Sequence, residues 1–144
     1  MAWCIFGLTK IFMTSVQNLY YAIGELAYAI AISDGMIQNE ERKKFYEIVE
    51  AELRCKKYDF DIAKIIFQIM NKDKINSEDS YNLAMQQIRL NSHYLSPELK
   101  NTIIAVIEKV ARAFKPVTLE EFEMIVRFKN EIKLINGDPV YYNS

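Results

Sequence analysis

The chain has 144 residues, the size of one ordinary domain, and its 51% hydrophobic content excludes an intrinsically disordered chain. A formal net charge of −1 gives no overall attraction to nucleic acid or to an anionic membrane, so nucleic-acid binding is not expected. Two cysteines without a CxxC pair, and His93 as the one histidine, supply no zinc knuckle, disulfide framework or HExxH metal site. Unpaired cysteines favour a reducing compartment, and we expect a cytoplasmic protein.

Residues 1–15 form an apolar N-terminal segment that opens MAWCIFGLTKIFM. The segment lacks a basic start and a small-residue cleavage site, so a signal peptide is not expected. Lys10, Gln17 and Glu25 interrupt any apolar window of about 20 residues, which argues against a transmembrane helix. The pattern predicts a helix docked on the core, and contact with a membrane surface through side chains such as Trp3 is the alternative.

Residues 16–136 show helical periodicity, and residues 137–144 form a C-terminal tail. The first predicted helix, 16–33, has one apolar stripe and, beside it, a line of small residues at Gly24, Ala27 and Ala31. Further helices are predicted over about 39–55, 59–71, 77–91, 97–114 and 118–135. The 59–71 helix is apolar most of the way round, which predicts that it is central. No stretch alternates like a strand, so we expect an all-α compact bundle of six to seven helices.

Local capping signals mark several of these helix ends. Asn76 or Ser77 is the expected N-cap of the fourth helix, and Ser96-Pro97 opens the fifth. Thr118 and Glu121 have the spacing of a capping box. Asn136-Gly137 stops the last helix, after which the tail either folds back on the core or stays free.

The start of the 39–55 helix recurs at the start of the last helix. Three residues correspond in order: Ile37 to Val117, Glu40 to Glu120, and Glu41 to Glu121. The repeat predicts a pseudo-duplicated helical corner. Only the first copy has an Asp34-Gly35 turn, so any ion site would be asymmetric.

The first copy, DGMIQNEE, matches the second half of an EF-hand calcium loop. The first and third ligand positions of that loop fall on Ile30 and Ile32, whose side chains offer no oxygen. Calcium needs about 6–8 oxygen ligands, so an EF-hand is excluded. Asp34, Glu40 and Glu41 leave open a weak divalent site for calcium or magnesium, with a dissociation constant of about 0.1–1 mM at best.

The same residues also fit a corner that holds no ion. Gly35 supplies the left-handed conformation that ends one helix. Glu40 and Glu41 then stabilise the positive end of the next helix, by about 0.3–1 kcal/mol each.

This corner resembles the tellurite-resistance protein B (TerB-like) family over roughly residues 16–135. The resemblance implies an all-helical, non-enzymatic domain that acts in stress-response assemblies and whose acidic surface meets divalent metal. Two positions depart from the family pattern: Gln38 replaces a serine or threonine cap, and residues 114–116 (FKP) replace the second Asp-Gly turn. The residues that carry the resemblance are Ala31, Asp34, Gly35, Ile37, Glu40, Glu41, Ile48 and Val49. The acidic positions that it implies are Asp34, Glu40 and Glu41, with Glu120 and Glu121 in the second copy.

We therefore expect a non-enzymatic module that docks to a protein partner and binds a divalent ion weakly. A structural scaffold without an ion site and a peripheral membrane module attached through residues 1–15 are the alternatives. An enzyme is disfavoured, because Asp34 and Glu41 are the one acid–base pair at hand and no nucleophile–base pair accompanies them. The sequence leaves the identity of the partner and the oligomeric state open.

Overall fold

The computed structural model describes residues 13–33, 35, 37–54, 60–113 and 117–143, so most of the predicted N-terminal segment lies outside the described residues. Seven α-helices and no strand occur in these ranges, which confirms the predicted all-α bundle. A short 3₁₀-helix, Ser92–Tyr94, follows the fourth α-helix. The α-helices are α1 (Ser15–Ile32), α2 (Asn39–Arg54), α3 (Phe60–Lys72), α4 (Ser77–Leu90), α5 (Pro97–Ala113), α6 (Leu119–Lys133) and α7 (Pro139–Tyr142).

Helix α1 is the centre of the bundle. Every residue from Leu19 to Ala31 is buried, and α1 packs against α3, α4 and α5. The prediction that residues 59–71 form the central helix is wrong, since α3 leaves Asp61 and Ile65 exposed. Small residues let the neighbouring helices approach α1 closely. A Cβ atom on Gly24 would stand 2.5 Å from the carbonyl oxygen of Ala63 on α3.

Aromatic side chains join α1, α2 and α3. Phe45 of α2 stacks on Phe67 of α3 with ring centroids 4.2 Å apart, and Tyr28 of α1 meets Phe67 edge-on at 5.9 Å. The hydroxyl of Tyr28 donates a hydrogen bond to the carbonyl oxygen of Ile75 at 2.7 Å. These contacts hold α2 beside α3, and a cleft lies between the two helices.

Helix α6 is held to α4 mainly through charged side chains. Arg127 of α6 bonds to Glu78 at 2.6 Å, and its guanidinium lies 4.2 Å from the ring centre of Tyr81. Glu131, one turn further on, pairs with Arg89 at 2.9 Å. Burial, followed by the negative charge of Glu131, raises the pKa of Tyr81. Few α6 side chains reach the core, so one face of this helix remains uncovered.

The predicted N-caps of α4 and α5 are confirmed. The side chain of Asn76 accepts a hydrogen bond from the N–H of Asp79 at 2.8 Å, and the Ser96 hydroxyl accepts one from the N–H of Leu99 at 3.1 Å. Each bond satisfies a donor that the first turn of a helix leaves free. None of the helices in the described ranges combines the length and the apolar character that a membrane-spanning segment needs.

The C-terminal tail folds back on the protein, which decides between the two alternatives left by the sequence. The N–H of Asp138 donates to the carbonyl oxygen of His93 at 3.0 Å, and the ring of Tyr141 meets that of His93 edge-on at 4.9 Å. Residues 139–142 form α7, a short helix within the segment predicted to be a tail. His93 lies in this aromatic contact as part of the packing of the tail.

Candidate functional site

The first corner, residues 33–41, turns the chain from α1 into α2. Gly35 has φ +110°, as predicted, and its N–H donates to the carbonyl oxygen of Ile32 at 2.8 Å. Ile37 packs against the core as a half-buried residue. One carboxylate oxygen of Glu41 accepts a hydrogen bond from the N–H of Gln38 at 3.0 Å. Glu41 therefore acts as a cap of α2, while Asp34 lies outside the described residues.

Glu40 lies at the edge of a cleft between α2 and α3. The cleft has a volume of about 700 Å³, and basic side chains from both helices line it together with Glu40. Three cationic groups face the cleft: Arg42 and Lys43 from α2 and Lys72 from α3. Glu40 therefore lies near three cationic side chains, which would weaken any binding of a divalent cation by this carboxylate.

The second corner, residues 117–121, opens α6. The Thr118 hydroxyl accepts a hydrogen bond from the N–H of Glu121 at 3.2 Å, which is one half of the predicted capping box. Glu121 is fully buried at 0% exposure, whereas Glu120 is exposed. Solvent, and any hydrated ion in it, has no direct access to the Glu121 carboxylate.

The structure therefore gives the predicted metal residues different surroundings. Glu41 caps a helix, Glu121 is buried, and Glu40 and Glu120 are exposed. Within the described ranges no three histidine, cysteine, aspartate or glutamate side chains come close enough to hold a metal ion together.

Glu25 on α1 is a buried acid that sequence reasoning did not single out as a site. The residue is 2% exposed, and its Oε1 atom has no hydrogen-bond partner among the described residues. Burial raises the pKa of the Glu25 carboxyl from 4.5 to about 8. The sequence did contain a sign of this burial, because Glu25 is flanked by small or apolar residues: Gly24, Leu26 and Ala27.

The uncovered face of α6 carries three exposed apolar side chains. Leu119 is 67% exposed, Phe122 58% and Val126 40%, and we call these three residues the α6 stripe. Their spacing of three and four places them on one side of the helix. Phe128 and Ile132 occupy the opposite, buried side. The exposed apolar face could have been recognised from the sequence. A helix at the surface of a bundle is usually apolar on one face, whereas α6 has apolar residues on two.

Comparison with known protein families, with curated proteins and with solved structures found no match for this chain.

Proposed function

We propose that this chain is a non-enzymatic helical binding module that docks an amphipathic helix of a protein partner on the α6 stripe. The observation that carries the proposal is the exposure of Leu119, Phe122 and Val126 on one side of a helix whose other side is already packed. Exposed apolar side chains that form a contiguous patch mark interaction sites more often than scattered ones do.

The shape of the stripe favours a helix as its occupant. Val126 follows Leu119 by seven positions, so the stripe extends about 10 Å along α6, or two helical turns. A second helix lying alongside would place its own apolar side chains between these three, as helices do in a bundle. Burial of the exposed 58% of Phe122 would contribute about 1–2 kcal/mol, before the entropic costs of association are subtracted.

The ion pairs of α6 support the same proposal, because they keep the helix in place without covering the stripe. Lys129 bonds to Glu108 of α5 at 2.6 Å, and Arg127 bonds to Glu78 of α4. Helix α6 is thus attached on both flanks, and its apolar side is presented outward in a defined orientation. Preorganised side chains lose less conformational entropy when a partner binds.

The resemblance to the TerB-like family agrees with a binding role. A stress-response setting and a weak divalent ion at the first corner belong to the same proposal, and they rest on the residues from Asp34 to Glu41. A cytoplasmic location belongs to it as well, and it rests on the absence of a cysteine framework in the sequence.

The test is quantitative enrichment of partners on the full chain, followed by direct measurement with each purified candidate. Phe122→Asp places a charge on the stripe, while Leu90→Asp makes the same change at an exposed residue of α4, 66% exposed. We expect a partner whose affinity falls at least tenfold with Phe122→Asp and less than twofold with Leu90→Asp. If every purified partner binds both variants equally, the α6 stripe is not a docking site. That result would favour the alternative of a structural scaffold.

A further inference from the structure

The cleft between α2 and α3 gathers positive charge that the protein itself does not neutralise. Arg42, Lys43 and Lys72 line it, with Glu40 as the acidic residue of the lining. Three cations against one carboxylate leave the lining with a net positive charge, although the whole chain carries −1.

Four basic side chains elsewhere in the described ranges, Arg89, Lys109, Arg127 and Lys129, are paired with glutamates. Arg89 pairs with Glu131 and Lys129 with Glu108, at 2.9 and 2.6 Å. Arg127 pairs with Glu78 and Glu131, and Lys109 pairs with Glu52. No described carboxylate forms a salt bridge with the three cations of the cleft; Arg42 instead bonds to the neutral side-chain amide of Asn39. The cleft therefore keeps cationic groups available for a ligand.

The wall of the cleft also contains an aromatic ring, that of Tyr46, and the ammonium group of Lys64 lies 5.3 Å from the ring centre. Tyr46 lines the cleft and is held by Phe45, at 5.7 Å between ring centroids, and by Phe67, at 6.3 Å. Its hydroxyl is buried and has no hydrogen-bond partner among the described residues, whereas buried hydroxyls are normally paired. Gln68 of α3 adds an exposed amide that can donate or accept.

We propose that this cleft is a binding site for a small polyanion, whose phosphate or carboxylate groups contact Arg42, Lys43 and Lys72 and whose remaining part lies against Tyr46. The volume of about 700 Å³ lies within the range of about 300–1,000 Å³ that is usual for small-molecule sites. A guanidinium binds phosphate or carboxylate through two parallel hydrogen bonds, and the two ammonium groups add point charges. Glu40 opposes an anion, so it limits affinity.

The test uses sodium tripolyphosphate and citrate as probes, titrated at fixed ionic strength into the full isotope-labelled chain and followed by backbone amide shifts. We expect shifts confined to residues 39–46 and 68–72, with a dissociation constant below about 1 mM for at least one probe. The better probe then identifies phosphate or carboxylate as the preferred group.

Charge variants distinguish specific binding in the cleft from a general attraction of anions to basic side chains. We expect Lys43→Gln combined with Lys72→Gln to weaken binding at least tenfold. The matched control, Lys100→Gln combined with Lys133→Gln, removes the same charge from α5 and α6 and should change affinity less than twofold. Glu40→Gln should strengthen binding about twofold to threefold, the opposite of its effect on a cation site.

Three outcomes would overturn the proposal. One is the absence of amide shifts at 10 mM probe, and another is an equal loss of affinity in the control variant. The third is tighter binding of a hexaglutamate peptide than of either probe, which would assign the cleft to an acidic protein segment. None of these outcomes bears on the α6 stripe, which lies on a different helix.

Discussion

The two corners of the bundle present the same residue type at the same helix position in opposite environments. Glu41 is the third residue of α2 and Glu121 the third residue of α6. Glu41 is half-buried and accepts a hydrogen bond from the backbone of Gln38, whereas Glu121 is fully buried. The difference shows that position within a helix determines how a residue can cap it, while the neighbouring helices determine whether it meets water.

The packing around each first turn accounts for this contrast. Glu121 shares a face of α6 with Phe128 and Ile132, and that face lies against α5 and α1. The hydroxyl of Ser77 on α4 lies 3.6 Å from the sulfur atom of Met124, which is one turn after the second corner. In α2 the fully buried side chains begin later, at Phe45, so the first turn lies at the rim of the core.

The largest expected effect is a charge reversal at the buried glutamate. Glu121→Lys would place a longer, cationic side chain in a site that excludes water, and we expect a loss of about 4 kcal/mol in the free energy of unfolding, or no folding at all. Glu41→Lys should cost about 1 kcal/mol or less, because only a cap and a favourable helix-end charge are lost. Urea unfolding of both variants measures the difference, and equal losses would show that the two corners have equivalent environments.

The second prediction extends the contrast to Glu25, the other buried acid. Because burial raises the pKa of Glu25 to about 8, the folded chain holds this proton more tightly than the unfolded chain does. The free energy of unfolding should therefore fall as the pH rises from 4.5 through about 8. Glu25→Gln removes this term, so its stability advantage over the natural chain should grow by about 2–3 kcal/mol between pH 6 and pH 9.

Urea unfolding at the two pH values, with Glu123→Gln on the exposed surface of α6 as the control, tests the Glu25 prediction. The control should show no such growth in its advantage. An advantage of Glu25→Gln that is constant with pH would mean that Glu25 is already ionised in the folded chain at pH 6.

A smaller effect is expected at the caps themselves. Thr118→Ala removes the hydroxyl that accepts from the N–H of Glu121 and should cost about 1 kcal/mol. Gln38→Thr supplies such a hydroxyl at the first corner, where the Glu41 half of a capping box is already present, and should add about 0.5 kcal/mol. Thermal and urea unfolding of the two variants would show opposite signs. A loss of stability in Gln38→Thr would mean that the two corners are not equivalent as helix starts.

The smallest effect concerns a divalent ion at the first corner. A site built from Asp34, Glu40 and Glu41 should bind calcium or magnesium with a dissociation constant of about 0.1–1 mM at best, and it should raise stability by less than about 1 kcal/mol at 1 mM ion. Amide shifts of Gly35, Glu40 and Glu41 during titration would detect it. Unchanged spectra at 10 mM calcium, magnesium and zinc would remove the metal from the proposed function.

Much of the helical framework could be predicted because the signals are local. Pro97 presets the backbone at the start of α5, and Asn76 caps α4 through a residue three positions away, so both act within one turn. The central helix was assigned to the wrong segment, because apolar content does not report how many neighbours a helix has. The small residues of α1, above all Gly24, let α3 approach it closely.

The residues of the candidate sites also fall into two groups, those whose role follows from local spacing and those whose role depends on tertiary packing. The caps of α4 and α6 could be located from spacing alone. Burial of Glu25 and Glu121, exposure of the α6 stripe and convergence of Arg42 and Lys72 on one cleft could not. Each depends on helices that are distant in the chain.

By itself, the sequence determined the helix ends, the all-α class and the recurrence of a glutamate at the third position of two helices. These follow from interactions within a few residues of backbone. Only the tertiary structure decided that Glu121 is buried while Glu41 remains at the rim of the core, and that one apolar side of α6 faces outward. Burial depends on which helices pack together, and that packing is set by side-chain volumes and close approaches across the whole bundle.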